Sequence, residues 1–142
     1  MNIHSPPPHM LICVDPKRIG EVWPLVRDLI DEGYAHSGEV APVELPHWLS
    51  AGKGQLWLSI EGGEIVAALT TSIVPMRNGL ALRMVTCGGS RLDLWKDCHR
   101  QIEEFARVEG CDRIRSEGRP GWTRVLAGGG YKVVSVTLEK RL

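Results

Sequence analysis

Three strand-like segments follow one another in the middle of the chain, and they limit the fold more than any other feature. Leu56, Leu58 and Ile60 alternate along the first of them, and "IVAALTTSIV" and "LALRMVT" follow after the short linkers "EGGE" and "PMRNG". Linkers of this length that contain glycine or proline favour tight turns between strands. The pattern therefore predicts an antiparallel meander, which holds most of the β-branched residues of the chain.

Before the meander, the sequence predicts a strand and two helices. Met10–Val14 is a short apolar strand, and Asp15 is a helix cap with Pro16 in the first turn. Apolar residues then recur at steps of three and four up to Gly33, which we expect to end the helix. Pro24 falls inside that pattern and predicts a kink or a break into two pieces. The segment "VELPHWLSAG" predicts a short second helix.

After the meander, a long helix is expected at once. Ser90 and Asp93 fit a capping box, and an apolar stripe runs on to Gly110. The segment "CDRIRS" predicts another strand, "EGRPGWTRVLAGGGYK" a very short helix between breaks, and "YKVVSVTLEK" a last strand. The order β-α-α-β-β-β-α-β-α-β has no repeat and no long linker. It predicts one α+β domain at residues 10–142, after an extended proline-rich lead-in at residues 1–9.

Charge and hydropathy exclude several classes of function. The chain has 17 basic and 17 acidic side chains and no net charge, so we expect no nucleic-acid partner. Its apolar runs are too short to cross a membrane, and "MNIHSPPPHM" lacks a signal-peptide core. A cytoplasmic location without a membrane partner is therefore expected. Its five histidines and four cysteines lack the spacing of a metal site, so no metal is expected either.

The element order, with a glycine loop between the last meander strand and the long helix, resembles the GNAT superfamily of acyl-CoA-dependent N-acetyltransferases. "EEFARVEGCDRI" is similar to the central helix and following strand of the family, and "VLAGGGYK" to its short helix before the final strand. "EFARVEGCDRIRSEGRPGWTRVLAGGGYK" looks more specifically like small GNAT-like proteins of phages and prophages. The resemblance covers roughly Met10 to Leu138. It implies a mixed, mostly antiparallel central sheet flanked by helices.

The resemblance also implies a place for acetyl-CoA. In GNAT folds the fourth and fifth strands splay apart around the pantetheine arm, and backbone N–H groups at the start of the long helix hold the pyrophosphate. The corresponding region here is "VTCGGSRLDLW". Its loop is shorter than that of the family, and Asp93 would repel a phosphate, so the acyl-CoA site is expected to be degenerate. An ordinary turn and helix cap is the alternative. The candidate cofactor-binding residues are Val85, Thr86, Cys87, Gly88, Gly89, Ser90 and Arg91.

The sequence lacks one of the two catalytic groups that the resemblance implies. The reaction needs a base for the acceptor amine and an acid for the leaving thiolate. The family often supplies the acid from a tyrosine, but Leu126 holds that position here, and Tyr131 falls where the family residue is structural. Glu117 follows the fifth strand and is the candidate base. It could equally form a structural ion pair with a nearby arginine, namely Arg115, Arg119 or Arg124.

Two functions fit these observations. The first is an acetyl-CoA-dependent N-acetyltransferase that acts on a small-molecule or protein amine. The second is a catalytically inactive phage assembly or virion protein that uses the GNAT fold to bind a protein partner. An enzyme should have an open gap between the strands that end near Thr86 and Ser116. In an inactive scaffold the gap should be filled, with Trp95 or Trp122 as the plug.

Overall fold

The computed structural model describes residues 9–89, 95–117 and 128–142, except for the side chains of residues 95–97. A five-stranded sheet with the order β1-β2-β3-β4-β5 forms its centre. Neighbouring strands are antiparallel except for β4 and β5, which are parallel. The strands are β1 (Met10–Cys13), β2 (Gln55–Glu61), β3 (Glu64–Met76), β4 (Gly79–Gly89) and β5 (Arg113–Ser116). The predicted meander and the predicted α+β class with a mixed sheet are confirmed.

Helices cover both faces of the sheet. Helices α1 (Ile19–Ala35) and α2 (Leu45–Ser50) pack on one face, and α3 (Trp95–Val108) packs on the other. One turn of 3-10 helix, Pro16–Arg18, precedes α1. Asp15 caps this turn as predicted, because its carboxylate accepts a hydrogen bond of 2.9 Å from the Lys17 N–H. None of the helices in the described ranges is long and apolar enough to cross a membrane.

Each face of the sheet has its own apolar core. On the face of α1 and α2, periodic residues of the helices pack against alternate residues of β2 and β3. On the face of α3, the same alternation turns the other side chains of β2, β3 and β4 inward. The first core includes Val26, Ile30, Leu49, Leu56, Leu58 and Ala68. The second includes Trp57, Leu69, Leu82, Met84, Cys98 and Ile102.

The predicted end of α1 at Gly33 is wrong, because the helix continues to Ala35. Gly33 faces β4 instead. A Cβ atom there would overlap Thr86 Oγ1 and lie 2.9 Å from the carbonyl carbon and oxygen of Cys87. The glycine therefore serves close packing of helix on strand rather than helix termination. Of the two outcomes predicted at Pro24, the break does not occur, since α1 is continuous through it.

The last predicted strand, "YKVVSVTLEK", is also wrong. Residues 131–142 have no regular secondary structure, and most of their apolar side chains are exposed. Tyr131, at the start of the segment, packs against the α3 side of the sheet. Alternation and β-branched residues do not make a strand by themselves, because a strand depends on its pairing partner. The predicted capping box at Ser90 and the predicted short helix at residues 120–126 lie outside the described residues.

Gly33 and Gly20 offer a matched pair of substitutions within α1. Gly33→Ala should destabilise the protein by about 1–3 kcal/mol, because its methyl group meets the backbone of β4. Gly20→Ala should be neutral or stabilising, since no atom lies within 4 Å of a Cβ at that position and alanine favours helix. Thermal unfolding of both variants checks this. An unfolding midpoint for Gly33→Ala at or above that of the wild type would contradict the packing described.

Candidate functional site

β4 extends past the end of β5, and the space beside residues 85–89 of β4, beyond the end of β5, is called the fork here. The two strands pair from Ala81–Arg113 to Met84–Ser116, where β5 ends. β4 continues to Gly89, paired only with β3 among the described residues. The N–H and C=O groups on the fork side of β4 therefore lack a strand partner in the described chain. Such an edge suits a ligand that carries amide groups.

A β-bulge lies where the fork begins. Thr70 faces Thr86 and Thr71 faces Met84, so Val85 is the extra residue on β4. A bulge bends its strand, increases the local twist and changes the direction of side chains. Among the described residues, β5 ends at Ser116 while β4 continues past the bulge to Gly89, at the place where the gap is predicted.

A cavity of about 120 Å³ occupies the fork, and it is called the fork cavity here. The end of α1, the separated part of β4, the end of β5 and one residue of α3 form its walls. The structure thus brings the predicted base together with the first half of the predicted cofactor site. The lining residues used below are Gly33, Tyr34, Glu39, Arg83, Val85, Thr86, Cys87, His99 and Glu117.

Gly88 and Gly89 belong to β4, which therefore extends beyond the predicted strand segment "LALRMVT". Gly88 faces Ala68 of β3, and a Cβ atom at Gly88 would overlap the carbonyl oxygen of Leu29 in α1. Gly89 has a φ of 126°, and a Cβ atom at Gly89 would overlap the carbonyl oxygen of Val66 in β3. Both glycines let β4 approach its neighbours closely. The remaining predicted loop residues, Ser90 and Arg91, lie outside the described residues.

Three buried polar atoms near the fork have no hydrogen-bond partner in the described part of the chain. They are the hydroxyl oxygens of Thr70 and Thr86 and the Nε of Arg83. Thr86 is 6% exposed and lines the fork cavity, and Thr70 is fully buried. An unsatisfied buried hydroxyl costs about 1–3 kcal/mol. A ligand that offers a partner to such a group recovers part of that free energy.

Glu117 does form the predicted kind of ion pair, and its partner among the described residues is Arg83 of β4, whereas Arg119 and Arg124 lie outside them. Arg83 Nη2 donates to Glu117 Oε1 at 2.7 Å. This hydrogen bond is the main cause that raises the pKa of Arg83. Both side chains are partly exposed, at 41% and 61%, so solvent screens the pair. The pair holds the Glu117 carboxylate at the mouth of the fork.

His99 and Tyr131 form a contact that the sequence did not predict. His99 comes from α3 and lines the fork cavity, and the Tyr131 hydroxyl lies 3.5 Å from its Nδ1. Burial lowers the pKa of His99, although Glu103 opposes the shift. Burial raises the pKa of Tyr131 to about 12, so its hydroxyl keeps the proton at neutral pH. A neutral imidazole backed by a phenol thus stands at the fork.

A second cavity, of about 280 Å³, lies between α2 and strands β3 and β4, and it is called the α2 cavity here. Tyr34, Arg83 and Val85 line both cavities, so the two adjoin. The α2 cavity has aromatic, hydroxyl and charged side chains in its wall. The further lining residues include Glu44, Trp48, Thr70 and Ser72. The sequence does not predict this cavity, because its wall combines positions far apart in the chain.

The remaining predictions about the site concern a metal ion and the two tryptophans that could fill the fork. Within residues 9–89, 95–117 and 128–142, no group of three or more histidine, cysteine, aspartate or glutamate residues could hold a metal ion. The two residues predicted to plug an inactive fork, Trp95 and Trp122, have side chains outside the described part of the structure. The described residues leave a cavity at the fork.

No family model and no curated protein matches the sequence of this chain. Solved structures match its fold. An aminoglycoside acetyltransferase from an uncultured soil metagenomic sample, in complex with sisomicin, aligns with a TM-score of 0.68 and 12% identity, over 94% of this chain and 96% of that chain. A predicted acetyltransferase from Clostridium acetobutylicum, with acetyl-CoA, aligns with a TM-score of 0.63 and 14% identity over 94% and 96% of the two chains.

A GNAT family acetyltransferase from Staphylococcus aureus also aligns, with a TM-score of 0.62 and 14% identity over 96% of this chain and 100% of that chain. At identities this low, the likeness shows the fold and nothing more specific. The chain therefore has the GNAT fold, as its resemblance implies. The likeness to phage and prophage proteins stays a prediction from the sequence.

The lowered pKa of His99 makes stability depend on pH. Below its ordinary value of 6.5, the unfolded chain binds a proton at His99 that the folded chain resists. Stability is therefore complete above that pH and falls as the pH drops towards the lowered pKa. Between about pH 7.5 and about pH 5.5, the unfolding midpoint of His99→Gln should fall less than that of the wild type, because glutamine does not titrate. His47→Gln, at an exposed position, is the control. An equal fall of the unfolding midpoint in the wild type and in His99→Gln would contradict the burial of His99.

Proposed function

We propose that this chain, which has the GNAT fold, is an acetyltransferase that moves the acetyl group of acetyl-CoA to an amine. The observation that carries the proposal is the fork, where β4 extends past its pairing with β5 around a cavity. Neighbours in structure include an acetyltransferase with acetyl-CoA. In a fold that hosts many functions, the geometry of the site supports the proposal more than the fold does.

The residues of the fork fit the pantetheine arm of acetyl-CoA. This arm is extended and carries amide groups, which suit the edge of β4 that extends past the end of β5. Thr86 lines the fork cavity, and its hydroxyl, buried against Gly33 of α1, has no partner among the described residues. Ser90 and Arg91, next along the chain, are the proposed pyrophosphate-binding residues. Acetyl-CoA, when bound, supplies the acetyl group as a thioester.

Glu117 is the proposed base. An amine attacks a thioester only in its neutral form, so a group near the fork must take its proton. The Glu117 carboxylate lies at the mouth of the fork cavity and is 61% exposed, which leaves it accessible to an amine or to a bridging water. Arg83 holds the carboxylate in place through the 2.7 Å hydrogen bond. The ion pair is thus compatible with a positioning role for Arg83.

His99 is the proposed proton donor for the leaving thiolate. Its ring lines the fork cavity, and the Tyr131 hydroxyl stands behind it at 3.5 Å from Nδ1. A neutral imidazole can donate its Nε2 proton to the thiolate while Nδ1 takes the hydroxyl proton of Tyr131, and the phenolate that this leaves regains a proton from water. This arrangement would supply the acid that the family tyrosine provides and that Leu126 cannot.

We also propose that the protein is of the phage or prophage type and that its cofactor site is degenerate. The short sequence "GGSRLDLW" and Asp93 favour weaker binding of the pyrophosphate than a family member with the full loop achieves. Acetyl transfer is the function that the described cavities favour. If the protein is an inactive scaffold, the wild type will release no thiol from acetyl-CoA in the assay below.

Glu117→Gln tests the proposed base. Loss of the carboxylate should lower kcat/KM by about 100-fold in an assay of thiol release from acetyl-CoA with a panel of primary amines. The protein should stay folded, because a partly exposed ion pair contributes only about 0–1 kcal/mol. Glu64→Gln is the matched control, since Glu64 is exposed at the start of β3, away from the fork cavity. Turnover by Glu117→Gln close to that of the wild type would rule out Glu117 as the base.

A further inference from the structure

The fork cavity and the α2 cavity meet at a short common wall, which is called the junction here. Among the described residues, those that line both cavities are Tyr34, Arg83 and Val85. Val85 is the bulge residue of β4, and it follows Met84, the last residue of β4 that pairs with β5. The junction therefore lies at the end of the fork where the pairing of β4 with β5 stops.

Under the proposed function, on which this inference rests, the acetyl group lies at the junction. Ser90 and Arg91, the proposed pyrophosphate-binding residues, follow the last residue of β4. A pantetheine arm that starts there and follows the edge of β4 leads back to Val85. The strand from Val85 to Gly89 spans about 13 Å, which an extended arm can cover. The thioester at the far end of the arm then lies beside the junction.

Helix α1 brings Tyr34 to the same place. The carbonyl of Leu29 lies against Gly88 of β4. One turn later in the helix, Gly33 lies against the carbonyl of Cys87, so α1 runs antiparallel to β4. The main chains of helix and strand touch at both points without a side chain between them. This contact fixes the end of α1, and the next residue, Tyr34, enters the wall of both cavities.

The Tyr34 hydroxyl is available to a ligand at the junction. The residue belongs to the core of α1 and α2 and is only 8% exposed. No described residue forms a hydrogen bond with its hydroxyl, and only the more distant charges of Glu39 and Arg83 act on it. The hydroxyl is not among the buried atoms that lack a partner, so solvent reaches it. A largely buried tyrosine thus presents its polar end to the cavities.

The surroundings of this hydroxyl suit the binding of an oxygen that gains negative charge. Burial and then the charge of Glu39 raise the pKa of Tyr34, although Arg83 opposes the shift. The hydroxyl therefore keeps its proton at neutral pH and can donate it in a hydrogen bond. Glu39 is exposed, so solvent screens its charge. Arg83 Nη2 donates to Glu117, which leaves other N–H groups and the positive charge of the guanidinium at the junction.

We propose that the Tyr34 hydroxyl and the Arg83 guanidinium bind the carbonyl oxygen of the acetyl thioester. As the amine nitrogen bonds to the carbonyl carbon, an electron pair of the C=O bond moves onto this oxygen, and the two groups stabilise its negative charge. The pair then returns to the C=O bond as the C–S bond breaks. Glu117 takes the proton of the amine, and the thiolate takes its proton from His99. Tyr34 is a catalytic residue that exchanges no proton.

Binding measurements test the contact with the carbonyl oxygen without turnover. S-ethyl coenzyme A has a methylene group in place of the carbonyl and otherwise matches acetyl-CoA. In calorimetric titrations, the wild type should bind acetyl-CoA about fivefold more tightly, which is the usual effect of one hydrogen bond. Tyr34→Phe should bind both ligands equally. Ser37→Ala is the matched control, since it removes a hydroxyl at the fork cavity that already donates to the Tyr34 carbonyl oxygen at 3.0 Å, and it should keep the preference.

Kinetics test the stabilisation of charge. In thiol release from acetyl-CoA with the same panel of primary amines, Tyr34→Phe should lower kcat by about 100-fold, the usual effect of losing one such donor. Its KM for acetyl-CoA should rise no more than about fivefold, because the contact strengthens only as charge develops. Ser37→Ala should turn over like the wild type. The unfolding midpoint of Tyr34→Phe should not fall, because its hydroxyl has no partner in the described chain.

A pH profile keeps the test valid if Tyr34→Phe disturbs folding. 3-Fluorotyrosine at position 34 keeps the ring and lowers the pKa of its hydroxyl. Because the hydroxyl must carry its proton, the fall of kcat at high pH should then begin at a lower pH than in the wild type. An unchanged profile, or wild-type kcat in Tyr34→Phe, would overturn this inference and leave the proposed function standing. Wild-type protein that binds neither acetyl-CoA nor S-ethyl coenzyme A would overturn both.

Discussion

The close contact between the backbones of α1 and β4 is the constraint on which the candidate site depends. Gly33 of α1 lies against Thr86 and Cys87, and Gly88 of β4 lies against the carbonyl of Leu29. This contact holds one face of β4, and β3 holds one edge along the whole strand. The strand therefore stays extended beyond its pairing with β5. The fork is the space that remains on its other edge.

The two cavities adjoin, so two ligands could bind side by side there. Tyr34, Arg83 and Val85 form their common wall, and the bulge at Val85 lies at the junction. Holding an acyl donor and an amine side by side supplies much of the rate in a direct transfer. Thr70 lines the α2 cavity and Thr86 lines the fork cavity, and neither hydroxyl has a hydrogen-bond partner among the described residues.

The sequence predicts the elements with strong local patterns and fails where a distant partner decides. The meander follows from alternation and turns, and Asp15 caps the turn before α1 as its residue type indicates. Gly33 has the sequence context of a helix end, yet the approach of β4 explains it. The segment from Tyr131 has the composition of a strand, but the described residues give it no pairing partner.

The candidate site shows the same division. Val85, Thr86 and Cys87 could be predicted because they adjoin a glycine pair next to a helix, and Glu117 because it follows a strand. Its partner Arg83 could not, since the pair joins two strands that are 34 positions apart by numbering. Tyr34, Thr70 and His99 carry no local signal either. They become functional candidates only when folding brings the sheet and the helices on its two faces together around the two adjoining cavities.

The most direct test of the account is thermal unfolding of the whole chain with and without acetyl-CoA, with adenosine diphosphate as the control for pyrophosphate binding. A ligand at about 100 times its dissociation constant adds about 2.7 kcal/mol of stability. The account predicts a rise of several degrees in the unfolding midpoint with acetyl-CoA and a smaller rise with adenosine diphosphate. No rise at saturating acetyl-CoA would contradict the fork as an acyl-CoA site.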